Sequence, residues 1–137
     1  MAPAVTVRRA SPDERARLSS LQKLLSHPSS DLLDSWPTVG TVLVSVDSDD
    51  APVGYLLAIG DHLAELAVAP GFRREGRGTD LIDAYHAQRP DSQLTLFVYP
   101  ENAVARACYE SLGFEVDGRV ADAFAGEEGI RMIRQPK

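Results

Sequence analysis

The spacing of apolar and polar residues changes several times along the chain, and each change marks a predicted element. Residues 4–9 (AVTVRR) alternate as a strand does. Residues 11–14 (SPDE) carry the signature of a helix N-terminus, with a capping serine, a proline and an acidic residue that completes a capping box. Apolar positions at three- to four-residue spacing follow at Leu18, Leu21, Leu24 and Leu25. The pattern predicts a helix that ends before His27 and Pro28, because a residue preceding proline avoids the helical region.

Three β-like runs come next and alternate with short polar turns. They cover residues 39–46, 53–59 and 63–69, and links this short favour an antiparallel meander. The remaining predictions are a helix around 81–85, a strand at 94–99, a helix at 101–112 ended by Gly113 as a left-handed C-cap, and strands near 114–120 and 128–134. This order combines a meander with two helical crossovers, which predicts an α+β domain with a mixed sheet.

Length and composition restrict what this domain does. The chain has 137 residues, 44% of them hydrophobic, which is typical of one globular domain over residues 1–137. Its net charge of −6 argues against nucleic acid as a partner, and no apolar run is long enough to cross a membrane. The N-terminal residues lack the apolar core of a signal peptide, so a cytoplasmic location is expected. The single cysteine, Cys108, excludes an internal disulfide and a cysteine metal cluster, and no metal site is expected.

Residues 66–84 (LAVAPGFRREGRGTDLIDA) are the most informative segment, because a strand runs into a turn rich in glycine and arginine that opens a helix. Gly76 and Gly78 let the backbone approach a ligand closely, and the first amides of the helix lack intrahelical partners. Three arginines lie on the same turn, Arg73, Arg74 and Arg77. In an acidic protein, this local positive charge predicts an anion such as phosphate. The alternative is a solvated arginine-rich turn.

Two motifs in this order resemble those of the GNAT superfamily of N-acetyltransferases. Arg73-x-x-Gly76-x-Gly78, after Leu66-x-Val68-x-Pro70, looks like that family's coenzyme A pyrophosphate loop. Residues 94–114 are similar to its strand–helix unit, in which Asn102 opens the helix and Tyr109 precedes Leu112-Gly113-Phe114. The resemblance covers residues 5–133. It implies a mixed, mostly antiparallel sheet that is flanked by helices and splayed into a V between the strands at 63–69 and 94–99.

The resemblance also implies acetyl-CoA as co-substrate, bound in that V. The pantetheine arm would pair with the strand edge from Leu66 to Val68, and the pyrophosphate would rest on the amides of residues 74–79. Both placements agree with general physical chemistry, since an open strand edge and the start of a helix each offer unpaired backbone donors. The implied cofactor-binding residues are Leu66, Val68, Arg73, Arg74, Gly76, Arg77, Gly78, Thr79 and Asn102.

Acetyl transfer to an amine needs an acid for the departing thiolate, a donor for the oxyanion and a base for the ammonium. Carried over from the family, Tyr109 would donate its phenolic proton to the coenzyme sulfur; its other role is that of a half-buried helix residue. The amide of Val68 would stabilise the oxyanion. Glu65, on the strand that flanks the acetyl group, is the candidate base, with a surface carboxylate as the alternative interpretation. His62 and Asp61 are the second choices as base, and Cys108 is expected to be a buried apolar residue.

The acceptor is less defined by the sequence. Trp36 lies in the region where the family builds its acceptor pocket, and residues 124–132 look like the end of N-terminal protein acetyltransferases. Two departures weaken that likeness, because Phe124 stands alone where two tyrosines are usual and Phe97 replaces a glutamate of the bacterial ribosomal-protein relatives. The expected function is acetyl-CoA-dependent transfer to a primary amine of a small molecule. A peptide N-terminus as acceptor and a non-catalytic acyl-CoA-binding module are the alternatives, and a homodimer is left open.

Overall fold

The computed structural model describes residues 6–25, 36, 38, 40–73, 75–124 and 126–136. Strands within these residues are β1 (Thr6–Arg9), β2 (Thr41–Val46), β3 (Pro52–Ile59), β4 (His62–Val68), β5 (Leu94–Val98), β6 (Glu115–Phe124) and β7 (Glu127–Arg134). Helices are α1 (Arg15–Gln22), α2 (Arg77–Gln88) and α3 (Ala103–Ser111), with 3-10 turns at Pro12–Glu14 and Pro70–Phe72. The sequence also predicts a short helical turn over residues 30–36, of which residues 30–35 lie outside the described residues, as do residues 4 and 5, His27 and Arg74.

The strands form one sheet in the order β1-β2-β3-β4-β5-β7-β6. Each pair of neighbours is antiparallel except β4 and β5, which are parallel and share the single register pair His62↔Thr95. The crossover through α2 imposes the parallel pairing, since parallel strands need a long connection. Beyond His62 and Thr95 the two strands separate. The predicted mixed, mostly antiparallel sheet splayed into a V is therefore confirmed.

Each face of the sheet carries its own apolar core. Leu81, Ile82 and Tyr85 of α2 pack against one face, which we call the α2 face. Leu18 and Leu21 of α1 pack with Tyr55 and Trp36 against the other, the α1 face. Trp36 is 4% exposed, so the indole belongs to this core and does not line an acceptor pocket. The sheet is thus supported from both sides on its β1–β4 half, and the V opens beside it.

Local signals in the sequence set most element boundaries correctly. The carboxylate of Glu14 accepts a hydrogen bond of 2.9 Å from the Ser11 amide, which is the acidic half of the predicted capping box. The helix ends at Gln22, so Leu24 lies beyond it and is 41% exposed. Gly113 has a φ of 96° after α3, which confirms the predicted left-handed C-cap.

Candidate active site

A cleft of about 670 Å³ occupies the V between β4 and β5. Its walls are residues 64–68 of β4, the turn from Phe72 to Thr79, residues 97–99 at the end of β5 and one side of α3. Leu24 and Leu25, just after α1, contribute to the same surface. The cleft therefore joins the strand edge, the glycine-rich turn and the tyrosine helix that the sequence singled out.

The edge of β4 that faces the cleft carries unpaired backbone groups. The Ala69 amide donates to the Val53 carbonyl at 2.8 Å, which makes Gly54 and Val68 a non-hydrogen-bonded pair of the antiparallel ladder. By alternation, the amides of Val68 and Leu66 point away from β3 and toward the opening of the V. Arg73 Nε already donates to the Val68 carbonyl at 2.9 Å. An extended amide ligand thus finds donors on this edge, while one acceptor is occupied.

The start of α2 forms the anion-binding end of the cleft. Gly76 precedes the helix with a φ of 78°, a conformation that side-chain-bearing residues rarely adopt. A Cβ built on Gly78 would meet only the Leu66 side chain, at 3.8 Å, so the space in front of the first helical amides is open. Unpaired amides and the helix dipole favour a phosphate at this position. Thr79 lies on the same first turn.

Two of the three arginines of the turn, Arg73 and Arg77, lie among the described residues, and their surroundings differ. Arg77 points away from the cleft, because its Nη1 donates to Ser45 Oγ at 2.8 Å and to the Val46 carbonyl at 3.1 Å. Its guanidinium also pairs with Glu75 at 2.8 Å and lies over the Phe72 ring. Arg77 therefore ties the turn to β2, while its backbone amide lies at the start of α2, where the residue lines the cleft. Arg73 is exposed and uses Nε for its bond to Val68, which leaves its Nη groups for an anion.

Helix α3 carries the candidate acid. Asn102 caps the helix, since its Oδ1 accepts from the Ala105 amide at 3.1 Å, as its position predicted. Tyr109 is half-buried and packs edge-to-face on Phe114 with ring centroids 5.8 Å apart. Burial, assisted by the neighbouring Cys108, raises the pKa of Tyr109 to about 12. Among the described residues its hydroxyl has no hydrogen-bond partner, and it is not sealed from solvent. The hydroxyl is thus a protonated donor open to the cleft.

The expectation that Cys108 is buried is wrong. Cys108 is exposed and lines the cleft beside Tyr109. The physical reason is that α3 lies over the open end of the V, where the sheet below it has parted, and none of its side chains is fully buried. Cys108 therefore lines the cleft while its side chain stays exposed to solvent.

Glu65 is buried, so its interpretation as a surface carboxylate is wrong. Only 5% of it is exposed, and its backbone and neighbours form part of the cleft wall. Tyr55 Oη donates to its carboxylate at 2.9 Å, and Gln22 Nε2 donates at 3.0 Å. Burial and the adjacent carboxylate raise the pKa of Tyr55 far above its ordinary value, so this phenol remains a donor. The sequence analysis missed Tyr55 and Gln22, because they lie 10 and 43 positions from Glu65 and no local pattern links them to it.

The two second-choice bases lie at the narrow end of the V. Asp61 accepts from Arg89 Nε at 2.7 Å, and this bond lowers the pKa of Asp61. His62 Nδ1 lies 2.9 Å from Thr95 Oγ1, and its ring packs on Phe97. Burial lowers the pKa of His62 below 6.5, which favours the neutral ring at neutral pH. Both groups are engaged with protein partners at the end where the cleft closes.

The sequence argued against a metal site and against a membrane-spanning segment. Within the described ranges, no group of three or more histidine, cysteine, aspartate or glutamate side chains is placed to hold a metal ion. None of the described helices is long and apolar enough to cross a membrane.

This chain is similar to known proteins both in sequence and in fold. The peptidyl-lysine N-acetyltransferase YjaB of Escherichia coli is 35% identical over 89 residues, which are 65% of this chain. The match spans only 59% of that relative, less than two thirds of its length. The solution structure of apo YjaB from E. coli has a TM-score of 0.70 at 23% identity, over 98% of this chain and 100% of that one.

A second solved structure of similar fold was determined as a complex with acetyl-CoA. The phosphinothricin acetyltransferase of Sinorhizobium meliloti, in complex with acetyl-CoA, has a TM-score of 0.71 at 18% identity, over 95% of this chain and 87% of that one. At this identity the likeness shows the fold alone. Residues 39–116, more than half of the chain, match the acetyltransferase (GNAT) domain family. The chain therefore belongs to the GNAT acetyltransferases.

Proposed function

We propose that this protein transfers the acetyl group of acetyl-CoA to the primary amine of a small molecule. One observation carries the proposal: the hydroxyl of Tyr109, which has no hydrogen-bond partner among the described residues, opens into the same cleft as the strand edge of β4 and the start of α2. A binding module has no need of a phenol at that position. A transferase does, because the departing thiolate needs a proton.

The residues of the cleft fit acetyl-CoA as co-substrate. The open space in front of Gly78 accommodates a pyrophosphate on the amides of the first turn of α2, and Arg73 adds a cation beside it. The outward amides of Leu66 and Val68 suit the amide groups of a pantetheine arm, as an added strand does. Acetyl-CoA supplies an activated thioester when bound.

Three groups of the chain then act on the reacting atoms. The amide of Val68 donates to the acetyl oxygen as negative charge develops there. Glu65 takes the proton that the substrate ammonium must lose before its nitrogen attacks the acetyl carbon. As the carbon–sulfur bond breaks, Tyr109 gives its phenolic proton to the sulfur. The attacking nitrogen loses its second proton in the same collapse, and this proton restores the Tyr109 phenol through solvent. The products are therefore the N-acetyl amine and the free thiol.

The pKa of Tyr109 defines the pH range of this step. With a pKa of about 12, the phenol keeps its proton throughout the neutral range and up to about pH 11. In the unfolded chain the same phenol loses its proton near pH 10. The contribution of Tyr109 to the free energy of unfolding is therefore present below pH 10 and is lost as the pH rises from about 10 to about 12.

Replacing Glu65 by glutamine is expected to lower kcat/KM by about 10²-fold at neutral pH, because the base is deleted while the buried polar shape is kept. Tyr55→Phe serves as the matched variant, since it removes one donor to the carboxylate and leaves the carboxylate in place. An unchanged kcat/KM in Glu65→Gln would remove Glu65 from the reaction.

The function itself is tested by incubating the protein with acetyl-CoA and a panel of primary amines and recording the released CoA thiol. Release is expected only when an amine is present. A parallel melting experiment should show that acetyl-CoA raises Tm, because a ligand bound only by the folded state stabilises it. A rise in Tm without thiol release from any amine would instead assign a non-catalytic acyl-CoA-binding module.

A peptide acceptor is the second candidate. The observation that favours it is the 35% identity to YjaB of E. coli, which is called a peptidyl-lysine N-acetyltransferase. The ε-amine of lysine is also primary and needs the same base and acid. A lysine-containing peptide and a peptide with a free N-terminus therefore belong in the panel.

A further inference from the structure

We propose that the acceptor is a small primary amine that carries an aromatic or similarly flat apolar group, and that Phe97, Tyr99 and Phe124 recognise this group. The inference rests on the proposed function, because it concerns the acceptor side of the same cleft. We call these three side chains the aromatic wall. The wall lines the cleft together with Leu24, Leu25 and Ala64.

The aromatic wall is a continuous array of rings on the α1 face of the sheet. Leu94, Leu96 and Val98 of β5 occupy the α2 face, so the alternate side chains of Phe97 and Tyr99 point the other way. The ring of Phe124 stacks on Tyr99 with centroids 4.0 Å apart and planes at 5°. Phe97 meets Phe124 edge-on at 6.1 Å and contacts His62 at 4.8 Å. The array thus extends from the closed end of the V outward along β5.

Gly129 gives Phe124 its place in the wall. A Cβ built on Gly129 would lie 2.8 Å from Phe124 Cε2 and 2.6 Å from Ala123 Cβ, distances that real side chains do not reach. Glycine inside a strand costs stability and marks a close approach of another group. Here the approaching groups are the Ala123 methyl and the Phe124 ring, and both lie where a side chain at Gly129 would otherwise be. A ladder irregularity between Val120 and Phe124 accompanies this arrangement.

Charge and hydrogen bonding favour an apolar group over a second cation or a sugar. Of the described residues that line the cleft, Glu65 is the single acidic one, and it is engaged with Tyr55 and Gln22. The hydroxyl of Tyr99 is hydrogen-bonded to Glu127, so the wall presents carbon atoms rather than free polar groups. At the wall, the distal ammonium of a polyamine would meet the Glu127 carboxylate, which already accepts from Tyr99, and hydroxyl groups would lose water without replacement. A flat ring instead gains contact with the aromatic wall.

The test compares 2-phenylethylamine with ethanolamine, putrescine and a lysine-containing peptide in the thiol-release assay. 2-Phenylethylamine and ethanolamine have the same CH2–CH2–NH2 portion and differ in the group at its other end. For this reason kcat/KM for 2-phenylethylamine should exceed that for ethanolamine by about 10- to 100-fold, the range expected for burying a phenyl group. In Phe124→Ala this ratio should fall toward one, mainly through KM. Gly129→Ala should reduce it too, because the new methyl group would overlap both the Ala123 methyl and the Phe124 ring and so shift this end of β6. Val116→Ala, an exposed β6 change outside the wall, is the control.

Calorimetry separates failure of this inference from failure of the proposed function. Titrating 2-phenylethylamine into the protein with CoA present measures acceptor binding without any transfer. Saturable binding that Phe124→Ala weakens about tenfold supports the aromatic wall even if no amine is acetylated. Absence of that binding overturns it. A preference of tenfold or more for putrescine, ethanolamine or the lysine peptide also overturns it, while leaving the acetyl transfer intact.

Discussion

Tyr109→Phe is expected to lower turnover by about 10² to 10⁴, the usual loss when a positioned general acid is removed, and to leave the affinity for acetyl-CoA unchanged. The reason is that the substitution deletes only a hydroxyl group that has no partner among the described residues. The packing of the ring on Phe114 is kept. Turnover is measured by thiol release at saturating substrate and affinity by calorimetry, so the two effects are observed separately.

Tyr85→Phe is the matched control for this variant. It removes a phenol of the core that donates to the Gly60 carbonyl and does not line the cleft. A loss of about 1 kcal/mol in the free energy of unfolding is expected from the missing hydrogen bond, with kcat unchanged. If Tyr109→Phe turned over as fast as the parent protein on a verified acceptor, Tyr109 would have no part in the chemistry.

Gly78→Val is expected to weaken acetyl-CoA binding by about 100-fold or more while the protein stays folded. The valine Cβ fits the structure, since it would meet only Leu66 at 3.8 Å, but the side chain would fill the space that the phosphates need. Losing two charge-assisted hydrogen bonds at about 1.5–3 kcal/mol each accounts for an effect of this size. Calorimetry measures the affinity, and circular dichroism confirms that the fold is kept.

Gly71→Val makes the same change seven residues earlier, in the 3-10 turn Pro70–Phe72. Gly71 has open space around its Cα and does not line the cleft, so its replacement should leave acetyl-CoA affinity unchanged. Equal affinity of Gly78→Val and Gly71→Val would place the phosphates away from the start of α2.

The fold could be predicted from the sequence because its signals are local. Alternation defines the strands, a capping box and Asn102 open helices, and Gly113 ends one. The V was implied by the resemblance to the GNAT family and not by periodicity. In the structure the α2 crossover makes β4 and β5 parallel neighbours, and they share a single pair. The family motifs then add what periodicity cannot supply, which is the place of the turn and of Tyr109 along this order.

The details of the site could not be predicted, because they depend on contacts between distant residues. Arg77 follows Arg73 by four residues on the same turn, yet its guanidinium is hydrogen-bonded to Ser45 and Val46 of β2. The burial of Glu65 depends on Tyr55 and Gln22, which come from another strand and from α1. The sheet parts beneath α3, which leaves Cys108 exposed although its residue type is typically buried.

The aromatic wall shows the same limit for the acceptor. Phe97 and Phe124 stood out in the sequence only as departures from a likeness to peptide acetyltransferases. In the structure they lie together with Tyr99 because β5 and β6 are both neighbours of β7. Gly129 belongs to no sequence motif. Only the structure shows that Ala123 and the Phe124 ring fill the space that a side chain at this position would need. If the aromatic wall selects the acceptor as proposed, the determinants of acceptor choice lie in the packing of β5, β6 and β7 rather than in the coenzyme motifs.

The central claim is that Tyr109 and the cleft move an acetyl group onto an amine nitrogen. The most direct measurement uses acetyl-CoA labelled with ¹³C in the acetyl group, incubates it with the protein and the amine panel, and follows the label by mass spectrometry. The label is expected on the amine, in equal amount to the free thiol released, with the rate reduced at least about 100-fold in Tyr109→Phe. Bound acetyl-CoA that passes its label to no amine, or passes it equally fast in Tyr109→Phe, would contradict the claim.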